Sequence, residues 1–294
     1  MWSLSECLPW MTVGLAESVA IVTLNLSTII VFITNRNLRK RNTYLVINLA
    51  VIDMFVGLLP VYYLFYIPGL FCNLWNWPTT GVGIIIFIFA LTSLSLCGSL
   101  INIAIIALER VHATFRPFRH RVLKKWVYRL IIAIVWVTSG LVATASMLLV
   151  QFNKFYYREY LLLLFSSICI LIVCVSYTSI VIKVRCGAQP QHHGATSRER
   201  KLTMTLLIVT VVSLLLFLPY NIVYFLTISE IIESMSFSVF HHLDNALLVL
   251  FYSNSLVNPI LYAIRMPEYR SALLAFYSKR RQQRQVDVFP LRDM

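Results

Sequence analysis

Polar side chains interrupt several otherwise apolar stretches of this sequence. Asp53 is the clearest case, because an ionisable group in the middle of a membrane span costs about 2.5–3.5 kcal/mol. Asn254 and Asn258 are spaced four residues apart in a later apolar stretch, so they share one face of a helix. Further polar groups in apolar stretches are Asn25, Ser99 and Ser255. Carboxylate, hydroxyl and amide oxygens together can hold a small hard cation; a carboxyl group satisfied by its neighbours, with no further role, is the alternative.

A charged pair, Glu109-Arg110, stands where the third apolar stretch ends. Taken alone, this pair is only a weak indication of a functional role. The alternative is an interfacial anchor, in which the arginine extends its charged end to the lipid headgroups.

The composition of the sequence predicts the helices that position these polar groups. Of 294 residues, 59% are hydrophobic and 13% charged, and this composition argues against a water-soluble fold. A helix needs about 20 mostly apolar residues to cross the hydrocarbon. Seven stretches qualify, and only Asp53 places a charge inside one. They are residues 18–35, 44–68, 80–108, 130–153, 160–182, 202–229 and 245–264. The predicted fold is an all-α membrane protein, a bundle of seven transmembrane helices with no separate globular domain.

The basic residues predict the orientation of this bundle. The net charge is +13, and nearly all of the 25 lysines and arginines lie in residues 36–41, 110–129, 183–201 and 265–292. These segments are alternate connections and the C-terminal tail, so the positive-inside rule places them in the cytoplasm and the N-terminus outside. This distribution favours contact with membrane lipid and argues against nucleic-acid binding. Of the cysteines, only Cys7 and Cys72 are predicted to be extracellular, and the sequence leaves open whether they form a disulfide.

The polar groups, in their order and spacing, resemble the motifs of rhodopsin-like (class A) G-protein-coupled receptors from Asn25 to Phe276. Asn258-Pro259-Ile260-Leu261-Tyr262 is similar to the Asn-Pro-x-x-Tyr motif, and Glu109-Arg110-Val111 to the Asp/Glu-Arg-Tyr motif. Other matches are Asn25, the segment 48–53, Trp136, Tyr177, Pro219 and residues 266–270, which look like the start of an amphipathic eighth helix.

The resemblance implies roles for these residues. Arg110 would pair with acidic residues in the inactive state and contact a heterotrimeric G protein in the active one, with Glu199 as a further acidic partner. The other residues implied in activation are Glu109, Tyr177, Phe217, Pro219, Asn258, Pro259 and Tyr262. The resemblance also implies an allosteric sodium ion held by Asp53, Ser99, Asn254, Ser255 and Asn258. No other cofactor is expected.

Several positions depart from the family pattern. The cysteine usual at the top of the third helix is Ile85, and the predicted loop 151–159 has none, so the usual disulfide over the pocket is missing. Phe217 replaces the usual tryptophan before Pro219, and Val111 replaces the tyrosine beside Arg110. These departures indicate a divergent member.

The same positions restrict the ligand. Retinal is excluded, because the required lysine is Tyr252, and simple amines are disfavoured, because the aspartate that pairs with them is Thr92. The predicted pocket, which ordinary helix packing would also explain, consists of Thr92, Leu96, Phe165, Phe217, Tyr220, Asn221, Tyr224, Leu248 and Tyr252. Its rim carries Glu230, Glu233, His241, His242 and Asp244, which can meet a cation, a peptide or a metal ion, or form a solvated edge.

The predicted organisation is a short extracellular N-terminus (1–10), the bundle (11–265), an amphipathic helix (266–279) and a cytoplasmic tail (280–294). The predicted function is a plasma-membrane receptor, not an enzyme, that binds an extracellular small molecule or short peptide and activates G proteins by a shift between two helix arrangements. The alternatives are a receptor-like protein without G-protein coupling, and a multi-pass transporter or channel. The ligand, the G-protein subtype and the oligomeric state cannot be predicted.

Overall fold

The computed structural model describes residues 3–35, 38, 43–75, 82–186, 195–228 and 236–288, and every regular element in these ranges is a helix. We label the helices α1 (Leu4–Thr34), α2 (Thr43–Phe71), α3 (Val82–Phe115), α4 (Pro117–Val122), α5 (Lys125–Gln151), α6 (Phe155–Cys186), α7 (Ala195–Ile228), α8 (Phe237–Arg265) and α9 (Pro267–Val288).

Six of these helices are long and apolar enough to cross a membrane: α1, α2, α3, α5, α6 and α8. Within α7 the described apolar part is the shorter stretch Val211–Thr227. The predicted bundle of seven spanning helices is thereby confirmed.

The first spanning helix begins well before the predicted start at residue 18. Glu6 accepts a hydrogen bond from the backbone N–H of Ser3 at 2.7 Å, which satisfies one of the free donors at the start of a helix. Residues 4–10, assigned by sequence to a short N-terminal segment, are therefore the first turns of α1. The predicted start was too late because the prediction required a charge-free stretch, and Glu17 interrupts that stretch.

The predicted loop 151–159 is wrong in its extent. The turn between α5 and α6 is only residues 152–154, closed by a hydrogen bond from the N–H of Lys154 to the carbonyl of Leu149 at 2.7 Å. Asn153 takes the left-handed conformation with φ of 56°, which asparagine tolerates better than most residues. Arg158 and Glu159 consequently lie in α6 rather than in a loop.

Helix α3 is the centre of the bundle and contacts α2, α5, α6 and α7. Helix α8 contacts both α7 and α1, so the helices close into a ring. Close approach of α1 and α2 depends on Gly14, where an added Cβ would overlap Leu64. We call the two ends of the bundle the Cys7 end and the Arg110 end.

A disulfide joins Cys7 and Cys72 at the Cys7 end, with 6.4 Å between the two Cα atoms. It ties the first turns of α1 to the residue that follows α2, a pairing that the sequence left open. Trp10 adds a second tie, because its indole N–H donates to Nδ1 of His242 in α8 at 3.0 Å. The start of α1 is therefore fixed to two neighbouring helices.

Helix α9 is attached to α1 at the Arg110 end by two tyrosines. The hydroxyl of Tyr269 is 2.8 Å from that of Thr28, and the hydroxyl of Tyr277 is 2.8 Å from that of Ser27. Phe32 also stacks on Tyr269, with 5.3 Å between the ring centroids. The predicted eighth helix is present, and it runs over Pro267–Val288, beyond the predicted end at residue 279.

We expect the Cys72→Ser variant to be less stable, because the bond closes a loop between residues 65 positions apart; losses of about 2–5 kcal/mol are typical. Thermal denaturation of the purified protein measures this. Cys174→Ser, which removes an exposed free cysteine, is the matched control. Equal melting temperatures for the two variants would contradict the stabilising role of the bond.

Candidate functional site

Asp53 is fully buried and accepts three hydrogen bonds from two other helices. Its Oδ1 accepts from the hydroxyl of Ser255 at 2.9 Å and that of Ser99 at 3.4 Å. Its Oδ2 accepts from the side-chain amide of Asn258 at 2.8 Å. One carboxylate in α2 thus connects α3 and α8. Sequence analysis named all four of these residues, and the structure brings them together.

In the same region Asn25 of α1 donates a hydrogen bond to the backbone of α8. The acceptor is available because of Pro259. A proline has no N–H, so the carbonyl four residues earlier in α8, that of Ser255, has no helical donor. The side-chain amide of Asn25 donates to this carbonyl at 3.0 Å. Asn25 therefore attaches α1 to the point in α8 where the proline interrupts the backbone hydrogen bonds.

Buried oxygen atoms near Asp53 remain without hydrogen-bond partners: the side-chain oxygens of Asn25, Asn254 and Asn258. An unsatisfied buried carbonyl costs free energy, and hard cations take oxygen ligands of this kind. Asn254 makes no side-chain hydrogen bond in the described part of the chain, although it is only 1% exposed. The set Asp53, Ser99, Asn254, Ser255 and Asn258 therefore has the donor chemistry that a sodium ion needs.

A second polar network joins α2, α3 and α5. The indole N–H of Trp136 donates to Oδ1 of Asn48 at 2.9 Å, and the amide of Asn48 donates to Oδ1 of Asn102 at 3.0 Å. Asn102 in turn donates to the carbonyl of Leu45 at 3.0 Å. Sequence analysis missed Asn102, although its position inside an apolar helix was the same signal that identified Asp53.

At the Arg110 end, Glu109 forms an ion pair with Arg110, and both residues are buried. Glu109 also contacts His120 of α4, with 2.6 Å between Oε1 and Nε2, and accepts from the hydroxyl of Tyr128 at 3.4 Å. The carboxylate is thus held from three sides. Sequence analysis identified the pair but not His120 or Tyr128, which lie in the neighbouring helices α4 and α5.

The other residues assigned to activation are distributed along α6, α7 and α8. Tyr177 and Tyr262 are buried, and the hydroxyl of Tyr262 has no hydrogen-bond partner in the described chain. Pro219 lies inside α7, as Pro259 does inside α8. The side chain of Glu199 lies outside the described residues, so its pairing with Arg110 stays a prediction.

The predicted ligand pocket lies among aromatic side chains in the half of the bundle nearer the Cys7 end. Phe217 and Tyr220 each contact Phe251, with 5.1 Å between ring centroids in both pairs. Tyr224 stacks on Tyr220 at 5.5 Å. The remaining aliphatic and aromatic members, Leu96, Phe165, Leu248 and Tyr252, pack in or against the same core. These residues therefore form one cluster.

Two polar members of the predicted pocket, Thr92 and Asn221, are hydrogen-bonded to residues outside the predicted set. The hydroxyl of Thr92 is 3.2 Å from that of Tyr63, and Asn221 accepts from the hydroxyl of Ser166 at 3.1 Å. Tyr63 was not predicted. It lies in α2, where the helix changes to π-type hydrogen bonding over Val61–Tyr66.

Two further charged residues, Arg158 and Glu17, are buried nearby, so the expectation that only Asp53 places a charge inside the spans was wrong. Arg158 is 5% exposed, pairs with Glu159 and donates to the hydroxyl of Ser146 at 3.0 Å. Glu17 is 6% exposed and accepts from the hydroxyl of Ser253 at 3.1 Å. Sequence analysis missed these groups because each lies just outside the predicted end of a span.

Comparison with known proteins agrees with this arrangement. The family model described as 7 transmembrane receptor (rhodopsin family) matches residues 24–262. The chain is 28% identical to the histamine H2 receptor of Rattus norvegicus, over 91% of this chain and 81% of that protein. It is 32% identical to the histamine H4 receptor of Rattus norvegicus, but over 40% of this chain and 29% of that protein. It is 28% identical to melanopsin of Rattus norvegicus, over 85% of this chain and 57% of that protein.

Proposed function

This chain belongs to the rhodopsin family of seven-transmembrane receptors, and we propose that it binds an extracellular small molecule or short peptide and activates a heterotrimeric G protein at its cytoplasmic face. Family membership confirms a multi-pass membrane receptor and excludes an enzyme. The observation that carries the coupling proposal is the buried pair of Glu109 and Arg110 at the end of α3.

The orientation in the membrane is part of the proposal. The Arg110 end is the end to which the basic segment 110–129 belongs, so the positive-inside rule assigns it to the cytoplasm. The Cys7 end then faces outside, where the oxidising environment preserves the disulfide of Cys7 and Cys72. The plasma membrane is the proposed location.

The proposed mechanism is a shift between two helix arrangements. In the arrangement seen here, Glu109 neutralises Arg110, and His120 and Tyr128 hold Glu109 in place. A ligand that binds the other arrangement more tightly changes the equilibrium by its difference in affinity. Release of Arg110 from Glu109 would then expose a positive group to the G protein, and Glu199 is a second acidic residue proposed to restrain it.

Sodium is proposed as an allosteric ligand of the site around Asp53. The ion would supply a positive charge beside this carboxylate, with Ser99, Asn254, Ser255 and Asn258 as the further oxygen-bearing residues. Since these residues come from α2, α3 and α8, any separation of those helices would break the site. An ion that can bind in only one helix arrangement stabilises that arrangement.

We expect Glu109→Gln to raise ligand-independent nucleotide exchange, because the amide cannot neutralise Arg110. A loss of about 1.4 kcal/mol from the inactive arrangement changes the ratio of the two states tenfold. His120→Ala should have a smaller effect in the same direction, and so should Glu199→Ala if the proposed restraint exists. Exchange on a panel of purified G proteins measures this.

His112→Ala is the matched control, because His112 lies beside His120, with 5.8 Å between the rings, and makes no described bond to Glu109. If Glu109→Gln left basal exchange at the wild-type level, the inactive-state role of the pair would be refuted.

We expect the addition of Arg110→Ala to Glu109→Gln to abolish the raised exchange, because the group that contacts the G protein is then absent. The same nucleotide-exchange assay applies, with cell-surface labelling to show that both variants reach the membrane. Equal exchange with and without Arg110 would favour the alternative of a receptor-like protein that does not couple to G proteins.

We expect wild-type basal exchange to rise when sodium chloride is replaced by N-methylglucamine chloride, and Asp53→Asn to lose this response. The amide keeps the size of the carboxyl group but not its charge. Glu268→Gln, a carboxyl-to-amide change in α9, should retain the sodium response. A full sodium response in Asp53→Asn would exclude the proposed site.

A further inference from the structure

Helix α5 has one apolar face that is exposed, and this face begins at Trp126. Its members are spaced three or four residues apart and are each 47–66% exposed: Trp126, Leu130, Ile134, Val137 and Leu141. The opposite face is buried at Tyr128, Val135 and Ser139. Because this chain is a membrane receptor, a continuous exposed apolar face of a spanning helix is the side that contacts lipid.

Trp126 lies at the Arg110 end of this lipid-facing side. Tyr128 in the same turn reaches the ion pair of that end, since its hydroxyl donates to Glu109 at 3.4 Å. Tryptophan is enriched where hydrocarbon meets the headgroups, because its ring is apolar and its N–H is polar. The neighbouring helix α4 also exposes apolar side chains, with Phe118 82% and Val122 74% exposed. The start of α5 therefore lies at the level of the lipid headgroups.

Three exposed cations lie next to Trp126, and we call them the basic surface: Lys124, Lys125 and Arg129. Lys124 precedes the first residue of α5, and Lys125 and Arg129 are spaced four residues apart, so these two lie on one side of the helix. None of the three forms an ion pair or a side-chain hydrogen bond within the described part of the chain. Their charges are therefore available to an external anion.

The segment that carries the basic surface contains no acidic residue. Residues 110–158 have no aspartate and no glutamate. Glu109, the acid that precedes them, is buried and already binds Arg110 and His120. The positive charge at the start of α5 is therefore uncompensated by α4 and α5.

We propose that the basic surface binds an anionic phospholipid whose headgroup carries several phosphates, with Lys125 and Arg129 as its principal partners and Lys124 as the third. The acyl chains would lie along the exposed face from Trp126 to Leu141. The proposal goes beyond the receptor function above and depends on it only for orientation, because anionic lipids are supplied by the cytoplasmic leaflet.

Two features favour such a lipid over other anions. Three cations between residues 124 and 129 exceed the charge of a headgroup with one phosphate, and the guanidinium of Arg129 can bind a phosphate through two parallel hydrogen bonds. The adjoining face of α5 continues into the hydrocarbon, so a soluble protein cannot cover it.

The test is lipid binding measured by native mass spectrometry on the purified full chain, which requires no G protein and no receptor ligand. The probes are phosphatidylinositol bisphosphate, phosphatidylserine, phosphatidylcholine and soluble inositol trisphosphate. We expect phosphatidylinositol bisphosphate to bind with the highest affinity. Equal affinity for phosphatidylserine or phosphatidylcholine would overturn the proposal. Equal affinity for inositol trisphosphate would overturn it too, because the site would then bind a soluble phosphate.

Variants then assign the site. The double variant Lys125→Gln and Arg129→Gln should bind phosphatidylinositol bisphosphate at least about tenfold more weakly, because each basic group near an anionic surface changes the affinity roughly fivefold. The double variant Lys125→Arg and Arg129→Lys, which keeps both charges, should retain most of the affinity. The matched control is Lys183→Gln with Arg270→Gln, which removes two exposed cations of α6 and α9 and should leave the affinity unchanged.

Equal losses of affinity in the two glutamine double variants would overturn the site, because binding would then follow the total charge of the protein. Unchanged lipid affinity together with reduced nucleotide exchange in the Lys125→Gln and Arg129→Gln variant would assign the surface to the G protein instead. Lipid binding that requires Lys125 and Arg129, in a receptor without nucleotide exchange, would leave this site standing and reject G-protein coupling.

Discussion

A membrane interior offers no water to polar groups, so a buried polar side chain can be satisfied only by another side chain, by the backbone or by a bound ligand. Asp53 shows the consequence most directly, since its carboxylate receives hydroxyl and amide donors from α3 and α8. The network of Asn48, Asn102 and Trp136 does the same for α2, α3 and α5. These interhelical bonds determine which faces of the helices meet, because apolar side chains are equally well solvated by lipid.

The two ends of the bundle are held by different chemistry. A covalent bond and the pair of Trp10 and His242 join the helices at the Cys7 end, so that end resists rearrangement. At the Arg110 end, the contacts of Glu109 with Arg110, His120 and Tyr128 are all electrostatic and reversible. This difference allows the helices to rearrange at the Arg110 end while they stay joined at the Cys7 end.

Between the ends lie groups whose hydrogen bonding is incomplete. Asn254 and the hydroxyl of Tyr262 have no partner in the described part of the chain, and Pro259 interrupts the backbone of α8 between them. Such unsatisfied groups destabilise the present arrangement. A second arrangement that gives them hydrogen-bond partners therefore costs less free energy to reach. The buried Oε2 of Glu17, which has no hydrogen-bond partner in the described part of the chain, adds a similar imbalance. Buried polar groups without hydrogen-bond partners therefore lie in the regions to which function is assigned.

The sequence by itself determined the class of fold, the number of spans and the residues around Asp53, because hydrophobic length and isolated polar groups are properties of single segments. It also identified the pair of Glu109 and Arg110, whose members are adjacent in the chain. Only the tertiary structure decided that His120 and Tyr128 hold Glu109, that Cys7 bonds Cys72, and that Asn102 completes a network. It also showed that Arg158 and Glu17 are buried, because burial depends on which helix turns lie next to each other, whereas a search for charge-free stretches ends a span at any charge.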